Sequence, residues 1–131
     1  MPHERLNPDT LYRGSRGYYS QIVVSEGTTQ WHFAGMVPLD VQRNVVGIGD
    51  MRAQCEQVMR NLQLALDAVG ATPGHVVRVR IYTTDMDRLL EQGRPIIYGF
   101  FGDAPPASTL LGVTRLADPM YLVEVEATAV S

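Results

Sequence analysis

The sequence predicts a small α+β domain, because one long amphipathic segment lies between segments of strand-like composition. Over residues 50–69, apolar side chains recur at steps of three and four, which is the periodicity of one face of an α-helix. Residues 18–34, 76–83 and 107–129 are instead rich in β-branched and aromatic residues. A chain of 131 residues fits one core, so we expect a single domain over residues 1–131.

The first third of the chain predicts a β-hairpin followed by a loop. Residues 1–17 are polar and rich in turn formers, which indicates an arm or a short edge strand. Residues 18–24 and 28–34 have strand composition and flank the turn sequence Ser-Glu-Gly, so we expect them to pair as a hairpin. Residues 35–49 contain a proline, glycines and an asparagine, which is typical of a loop.

The first helix has clear boundaries in the sequence. Asp50 is a good N-cap, and Gly70 lies where a glycine commonly ends a helix. The apolar face that we expect to be buried consists of Met51, Cys55, Val58, Met59, Leu62, Ala65, Leu66 and Val69.

The second half of the chain predicts a strand, a second helix and two further strands. The strand is Val76–Thr83, and residues 86–92 indicate a short helical turn. We expect the main second helix to begin at Pro95, because proline fits the first helical position but not the helix interior. Residues 107–113 and 121–129 predict the last strands, which makes the order β-β-α-β-α-β-β with two helices on one face of the sheet.

Apolar and polar side chains alternate along the later strands, which separates two faces of the predicted sheet. The apolar row, expected to pack under the helices, is Val77, Val79, Ile81, Val123, Val125, Ala127 and Ala129. The opposite row is Arg78, Arg80, Tyr82, Leu122, Glu124, Glu126 and Thr128. This polar face is either a solvated sheet surface or a face on which subunits pack to line a cleft for a small ligand.

Composition and charge exclude several classes of function. The formal net charge is −3 and the basic residues are spread along the chain, so we expect no nucleic-acid partner. One cysteine rules out an intramolecular disulfide and a cysteine-based zinc cluster, and the 3 histidines follow no ligand spacing, so we expect no metal. The N-terminus lacks a signal peptide's apolar segment and no apolar run reaches the ~20 residues of a membrane helix, so we expect a cytoplasmic protein without membrane contact.

An ordered set of short motifs runs through most of the chain. The motifs are Phe33-Ala34-Gly35, Asn61-Leu62, Val69-Gly70-Ala71, Thr84-Asp85-Met86, Phe100-Phe101, Pro106-Ala107-Ser108-Thr109 and Val123-Glu124-Val125-Glu126-Ala127. As an ordered set, they resemble the Rid (YjgF-like) family.

The resemblance implies a chorismate-mutase-like α+β fold with a mixed β-sheet, assembled as a homotrimer with a ligand cleft at each subunit interface. The archetypal activity of the family is hydrolysis of reactive enamines and imines, such as 2-aminoacrylate, to a keto acid and ammonia. A 2-iminobutanoate/2-iminopropanoate deaminase-type hydrolase is therefore the implied enzyme, with a small organic acid or imine as its ligand. The resemblance implies no metal and no organic cofactor.

The family's site residues map only in part onto this chain. The resemblance implies Glu124 as the glutamate that positions the attacking water, and Tyr19 as the tyrosine that closes the cleft. In archetypal members an arginine in a Pro-Ala-Arg-Ser segment holds the substrate carboxylate, whereas here that position is Ser108, which brings no charge. Ala34 also replaces a serine or threonine that is common in the family.

Another arginine could supply the missing charge. Arg94 falls where archetypal members have an asparagine lining the cleft, and it lies just before Pro95 at a predicted helix N-terminus that would favour an anion. We therefore expect Tyr19, Arg94 and Ser108 to bind substrate, with a solvated surface position as the alternative for Arg94. Arg115 is the other candidate, although a structural ion pair would also explain it.

The two carboxylates of the last strand carry two interpretations. Glu124 and Glu126 lie on one strand face, where burial would separate their pKa values and suit acid–base chemistry. Alternatively, they pair with Arg78 or Arg80 across the sheet, and we expect this structural role for Glu126.

Three functions remain open at this point. The first is an enamine or imine deaminase that depends on Glu124. The second is a non-catalytic ligand-binding or regulatory member of the family, because Ser108 replaces the archetypal arginine. The third is a different, pathway-specific reaction in the same interfacial cleft.

Overall fold

The computed structural model describes residues 3–12 and 17–131. The strands are β1 (Glu4–Leu6), β2 (Ile22–Val24), β3 (Gln30–Met36), β4 (Val76–Thr83), β5 (Ala107–Gly112) and β6 (Val123–Val130). The helices are α1 (Met51–Ala68), α2 (Met86–Arg88) and α3 (Arg94–Gly99); a π-helical turn at Leu89–Gly93 joins α2 to α3, and a 3-10 turn spans Pro73–His75.

The main sheet has four strands in the order β3-β6-β4-β5. Strand β6 runs antiparallel to both β3 and β4, while β5 runs parallel to β4, so the sheet is mixed. Two helical segments, α1 and the segment from α2 to α3, pack on one face of this sheet. The predicted α+β class, with two helices on one face of a mixed sheet, is confirmed.

The predicted hairpin of residues 18–24 and 28–34 is wrong. Strand β2 pairs with β1 in a separate two-stranded sheet, with Leu6 opposite Ile22. Strand β3 pairs with β6 instead, with Gln30 opposite Val130. After the turn, the backbone N–H groups of Thr28 and Thr29 donate to the carbonyl of Ser131. The hydrogen-bond acceptor for this segment is therefore the C-terminal residue and not the preceding strand.

The N-terminal segment, predicted as an arm or a short edge strand, contains the short strand β1. His3 anchors it: Nε2 lies 2.8 Å from the carbonyl oxygen of Val130. Residues 1–2 and 13–16 of the predicted arm lie outside the described residues.

Helix α1 agrees with its prediction at both ends. The Asp50 side chain accepts a hydrogen bond from the Ala53 N–H at 3.1 Å, and Gly70 has the positive φ of 71° expected after a helix. Two residues in this region differ from the predicted burial. Val69 is 38% exposed at the C-cap, whereas Gln54 is fully buried because its side chain bonds backbone groups of the neighbouring loops.

The buried row of β4 begins one residue earlier than predicted. Val76 is fully buried and Val77 is not, because the pairing of β4 with β6 shifts register between Val76 and Arg78. From Val79 onward the predicted alternation holds, and the apolar row of β6 is buried as expected. The core therefore lies between α1 and one sheet face, and the other face carries the polar row.

Among the residues that the structure describes, no helix has the length and apolar character needed to cross a bilayer.

Candidate active site

A cavity of about 200 Å³ lies at the outer edge of the sheet, between β5 and the second helical segment. Ser108 and Leu110 of β5 pair with Val79 and Ile81 of β4, so they lie on the face that carries the helices. The lining residues are Tyr18, Tyr19, Arg94, Tyr98, Ser108 and Leu110. The three predicted substrate-binding residues, Tyr19, Arg94 and Ser108, thus line one cavity.

Arg94 supplies the positive charge of the cavity. Its guanidinium carbon lies 5.4 Å from the ring centroid of Tyr18, which is a cation–π distance. Its Nε is buried and has no hydrogen-bond partner among the described residues. A buried donor without an acceptor is costly, so this guanidinium is suited to an anionic ligand that provides one.

Arg94 does not lie at the free helix N-terminus that the sequence suggested. The helical path is continuous from α2 into α3, and the Arg94 N–H already donates to the Leu89 carbonyl across the π-helical turn. The wider turn accommodates Pro95, which has no N–H to donate. The charge of the Arg94 side chain, rather than free backbone donors, therefore makes this edge of the cavity favourable for an anion.

Close packing beneath the π-helical turn requires glycine at position 93. A Cβ on Gly93 would lie 2.6 Å from Sγ of Cys55 on α1, which is closer than non-bonded atoms approach. The glycine thus lets the turn that carries Arg94 pack directly on α1.

A pair of hydroxyl groups, from Tyr98 of α3 and Ser108 of β5, also lines the cavity. Tyr98 Oη and Ser108 Oγ are 2.9 Å apart, and either group can donate. Burial raises the pKa of Tyr98, while the hydrogen bond to Ser108 and the charge of Arg94 oppose that rise. Because one hydroxyl donates to the other, one hydrogen remains for a ligand acceptor.

The segment that carries Tyr18 and Tyr19 is held by the loop before β5. Ser20 donates to the Pro105 carbonyl through Oγ at 2.6 Å, and its backbone N–H donates to the Pro106 carbonyl at 3.1 Å. Arg5 Nε donates to the same Pro105 carbonyl at 3.1 Å. These contacts place Tyr18 and Tyr19 over the cavity even though they precede a strand of the other sheet.

Glu124 lies on the opposite face of the sheet from this cavity. It is opposite Tyr82 of β4, on the polar row that the helices leave uncovered. Burial, and secondarily the charge of Glu126, raises the pKa of Glu124 above its ordinary value. Within one chain, the structure therefore separates the predicted water-positioning glutamate from Tyr19, Arg94 and Ser108.

The partner of the cross-strand arginine is Glu126, as expected. Arg80 Nη1 lies 3.7 Å from Glu126 Oε1, and Tyr82 Oη donates a hydrogen bond to the same carboxylate oxygen. Arg78 donates to Thr109 Oγ1 at 2.8 Å instead of pairing with a carboxylate. Among residues 3–12 and 17–131, no cation lies within ion-pairing distance of Glu124.

Arg115 lies away from the cavity. Its side chain donates to the carbonyls of Leu116 and Ala117 at 3.2 and 3.4 Å, so it neither lines the cavity nor forms the expected ion pair. Among described residues, no group of three or more His, Cys, Asp or Glu side chains is arranged to hold a metal ion.

Sequence reasoning missed Tyr18 and Tyr98 at the cavity. Tyr98 lies four residues after Arg94, so the helical period places the two side chains on one face. Tyr18 precedes Tyr19 directly in a segment that we predicted as strand, where neighbouring side chains face opposite ways, but that segment is not part of β2.

A mixed sheet with two helical segments on one face and a polar second face defines a small α+β protein, and the cavity beside β5 is its candidate ligand site. The family model described as Endoribonuclease L-PSP matches residues 12–131. A crystal structure of the Rid-family protein YyfB from Yersinia pestis is similar with a TM-score of 0.91 and 34% identity, covering 100% of both chains. The chain belongs to the Rid (YjgF-like) family.

Two curated relatives extend the comparison. Protein DfrA of Myxococcus xanthus is 37% identical over 116 residues, which cover 88% of this chain and 86% of that protein. A 2-iminobutanoate/2-iminopropanoate deaminase of Dermatophagoides farinae is 27% identical over 130 residues, which cover 99% of this chain and 98% of that protein.

Proposed function

We propose that this protein hydrolyses reactive imines or enamines of small organic acids to a carbonyl product and ammonia. The observation that carries the proposal is the buried, unpartnered Nε of Arg94 at a cavity that also holds the Tyr98–Ser108 hydroxyl pair. A guanidinium suits a carboxylate, and a hydroxyl hydrogen suits an imine or carbonyl acceptor on the adjacent carbon. The deaminase among the relatives supports the same chemistry.

The reaction needs few protein groups. An enamine tautomerises to an imine, whose carbon becomes electrophilic once the nitrogen is protonated. Water adds to that carbon, the C–N bond breaks with protonation of nitrogen, and the products are the carbonyl compound and ammonia. The protein's part is to hold the carboxylate, place the water and shuttle protons.

We assign the water-positioning role to Glu124 of a neighbouring copy. In one chain Glu124 faces away from the cavity, so the two meet only if the polar face of one copy packs beside the cavity of another. Strand β5 is the outer strand of the sheet and lines the cavity, which makes this edge accessible to a second copy. A homotrimer with a cleft at each interface, the assembly implied by the family, would allow this arrangement.

Ammonia release tests the proposal. Imines are generated in situ from amino acids by an amino acid oxidase, and the protein is expected to accelerate ammonia formation above the uncatalysed rate. Glu124→Gln should abolish that acceleration, whereas Glu126→Gln, the same change two residues along the strand, should retain it. Unchanged activity in Glu124→Gln would remove Glu124 from the mechanism.

Assembly is tested separately by light scattering on the purified protein. The proposal expects a mass of about three chains, consistent with closed symmetry. A stable monomer that is fully active would overturn the shared cleft.

A non-catalytic ligand-binding or regulatory role is the second candidate. The observation that favours it is Ser108, which is uncharged and engaged with Tyr98 where archetypal members carry the carboxylate-binding arginine. This role predicts that organic acids bind in an Arg94-dependent manner without any acceleration of ammonia release. A different reaction in the same cleft would instead show turnover of another substrate that still depends on Glu124.

RNA cleavage is not favoured, although the description of the family model names an endoribonuclease. The chain has a formal net charge of −3, and the cavity is lined by one arginine and no lysine. A protein that binds nucleic acid ordinarily presents a concentrated basic surface.

A further inference from the structure

We propose that the cavity selects organic acids with a planar aromatic substituent, held against the tyrosine wall while Arg94 binds the carboxylate. This inference rests on the proposed function and names its substrate class. The tyrosine wall is defined here as Tyr18, Tyr19 and Tyr98.

The wall is a preformed aromatic surface. The rings of Tyr18 and Tyr98 are stacked, with centroids 5.1 Å apart and an interplanar angle of 13°. Tyr98 is 7% exposed, so the stack is anchored in the core on one side. Tyr19 and Leu110 also line the cavity. Aromatic rings prefer offset-stacked or edge-on contact with other rings, which an aliphatic substituent of equal size cannot reproduce.

Tyr18 connects the aromatic wall to the anion-binding group. One ring partner of Tyr18 is Tyr98, and the guanidinium of Arg94 lies 5.4 Å from the Tyr18 centroid. Tyr18 therefore contacts both the ring of Tyr98 and the guanidinium that we propose binds the carboxylate. A rigid ligand with a ring and a carboxylate at a short, defined separation matches this arrangement, because little conformational freedom is lost on binding.

The size of the cavity is consistent with such a ligand. An apolar protein cavity of about 150 Å³ holds benzene, and this cavity measures about 200 Å³. The remaining volume is available for a carboxylate at Arg94. A two-carbon or three-carbon acid would leave most of the tyrosine wall uncovered, so its apolar surface would contribute little to affinity.

The Tyr98–Ser108 hydroxyl pair can donate one hydrogen bond to a ligand. Either hydroxyl can donate to the other, so the free hydrogen can come from either side of the pair. This pair can donate to a 2-oxo oxygen or to an imine nitrogen next to the carboxylate. The inferred substrate class is therefore a 2-imino acid with an aromatic side chain, and the corresponding 2-oxo acid is its product and a stable probe of the same site.

Three 2-oxo acids separate the contribution of the aromatic ring to affinity from that of the carboxylate in the wild-type protein. Phenylpyruvate, 3-cyclohexylpyruvate and pyruvate share the carboxylate and the oxo group, and the first two differ in the planarity of a six-membered ring. By titration calorimetry, phenylpyruvate is expected to bind about three- to tenfold more tightly than 3-cyclohexylpyruvate, with pyruvate the weakest. Equal affinities for the two ring compounds, or tightest binding of pyruvate, would overturn the inference.

Two substitutions at Tyr18 test the role of the ring. Tyr18→Phe keeps the π face and should keep the preference for phenylpyruvate over the cyclohexyl compound. Tyr18→Leu removes the π face at similar size and should reduce that preference to about twofold or less. A preference that survives Tyr18→Leu, with circular dichroism showing a folded protein, would contradict the assigned role of the wall.

Arg94→Gln separates this inference from the proposed function. It should weaken all three acids by a similar factor, because it removes the shared carboxylate contact. If Arg94→Gln leaves all three affinities unchanged, the anion-binding site of the proposed function fails as well. If Arg94→Gln weakens all three acids but the wild type shows no aromatic preference, only the substrate class is wrong.

Discussion

Gly35 lies directly beneath the carboxyl group of Glu124, and a Cβ at position 35 would overlap Oε2 of that carboxyl group. The register of β3 with β6 is interrupted between Phe33 and Met36, so Gly35 belongs to a β-bulge. The carboxyl group of Glu124 thus lies over the backbone of the neighbouring strand instead of extending into solvent. Glycine at this position sets where the proposed water-positioning group can lie.

Gly35→Ala is expected to lower activity with little loss of stability. The added methyl group meets the far end of a flexible side chain, so Glu124 can rotate away while the strand stays intact. Displacing the carboxylate by about 1 Å should lower kcat by roughly 10- to 100-fold, whereas the free energy of unfolding should change by less than about 1 kcal/mol. Steady-state ammonia release and thermal unfolding measure the two effects.

The matched control for this prediction is Gly112→Ala on β5, where the added Cβ would make an ordinary contact of 3.6 Å with Met86. It should leave kcat unchanged. Full activity in Gly35→Ala would mean that the position of Glu124 does not limit the reaction.

Glu126→Gln is expected to shift the acidic limb of the pH–rate profile to lower pH. The negative charge of Glu126 contributes to the raised pKa of Glu124. Removing that charge lowers the pKa of Glu124, so Glu124 becomes an ionised proton acceptor at a lower pH. Arg80 and Tyr82, which face Glu126, remain in place. The measurement is kcat/KM against pH, and Glu91→Gln, an exposed carboxylate elsewhere, should leave the limb where it is.

Glu124→Gln is expected to raise thermal stability at neutral pH. A carboxyl group whose pKa is raised in the folded state binds its proton more tightly there than in the unfolded chain. Its stabilising contribution is complete below the unfolded pKa and is lost as pH rises through the folded pKa. The variant should therefore exceed the wild type in Tm at neutral pH and lose that advantage below the ordinary carboxyl range; a difference in Tm independent of pH would contradict this account.

Gln54→Leu is expected to destabilise the fold. The buried side chain of Gln54 donates to the carbonyls of Gly47 and Met120 at 3.1 and 2.9 Å, and accepts from the Leu122 N–H at 2.8 Å. Leucine would leave these backbone groups unpaired, at a cost of about 2–4 kcal/mol in unfolding free energy. Urea denaturation measures the loss, and Gln63→Leu, the same change at a partly exposed position of α1 whose amide donates to the exposed Asp67 side chain, should cost less than about 0.5 kcal/mol.

Cys55 is expected to resist thiol reagents in the folded protein. Burial, with a contribution from Glu56, raises the pKa of Cys55 to about 12, so the thiolate population at mildly alkaline pH is very small. Labelling should be at least about a thousandfold slower than in denaturant. In a Cys55→Ser background, Leu64→Cys places a thiol at a position that is 61% exposed and should label at the ordinary rate; rapid labelling of native Cys55 would contradict the buried placement.

Local periodicity was sufficient for the regular elements. The limits of β4 and the caps of α1 follow from patterns within a few residues, because a 3.6-residue or two-residue period states directly which side chains share a face. The same reasoning separated Glu124 and its polar row from the buried row of β6. Motif order then indicated Tyr19, Arg94 and Ser108, which line one cavity in the structure.

Contacts between distant parts of the chain decided the rest. Strand β3 takes its backbone hydrogen-bond partners from the C-terminal strand β6 and not from β2, the strand that precedes it in sequence. The helix α3 begins within one residue of the predicted Pro95, but it has no free N-terminus, because a π-helical turn leads into it and the Arg94 N–H already donates to the Leu89 carbonyl. Glu124 projects from β6 on the face that the helices leave uncovered, whereas Arg94 begins α3 on the face that carries the helices. Strand alternation indicated the first placement, but only the packing of α3 beside β5 brings Arg94, Tyr98 and Ser108 into one cavity.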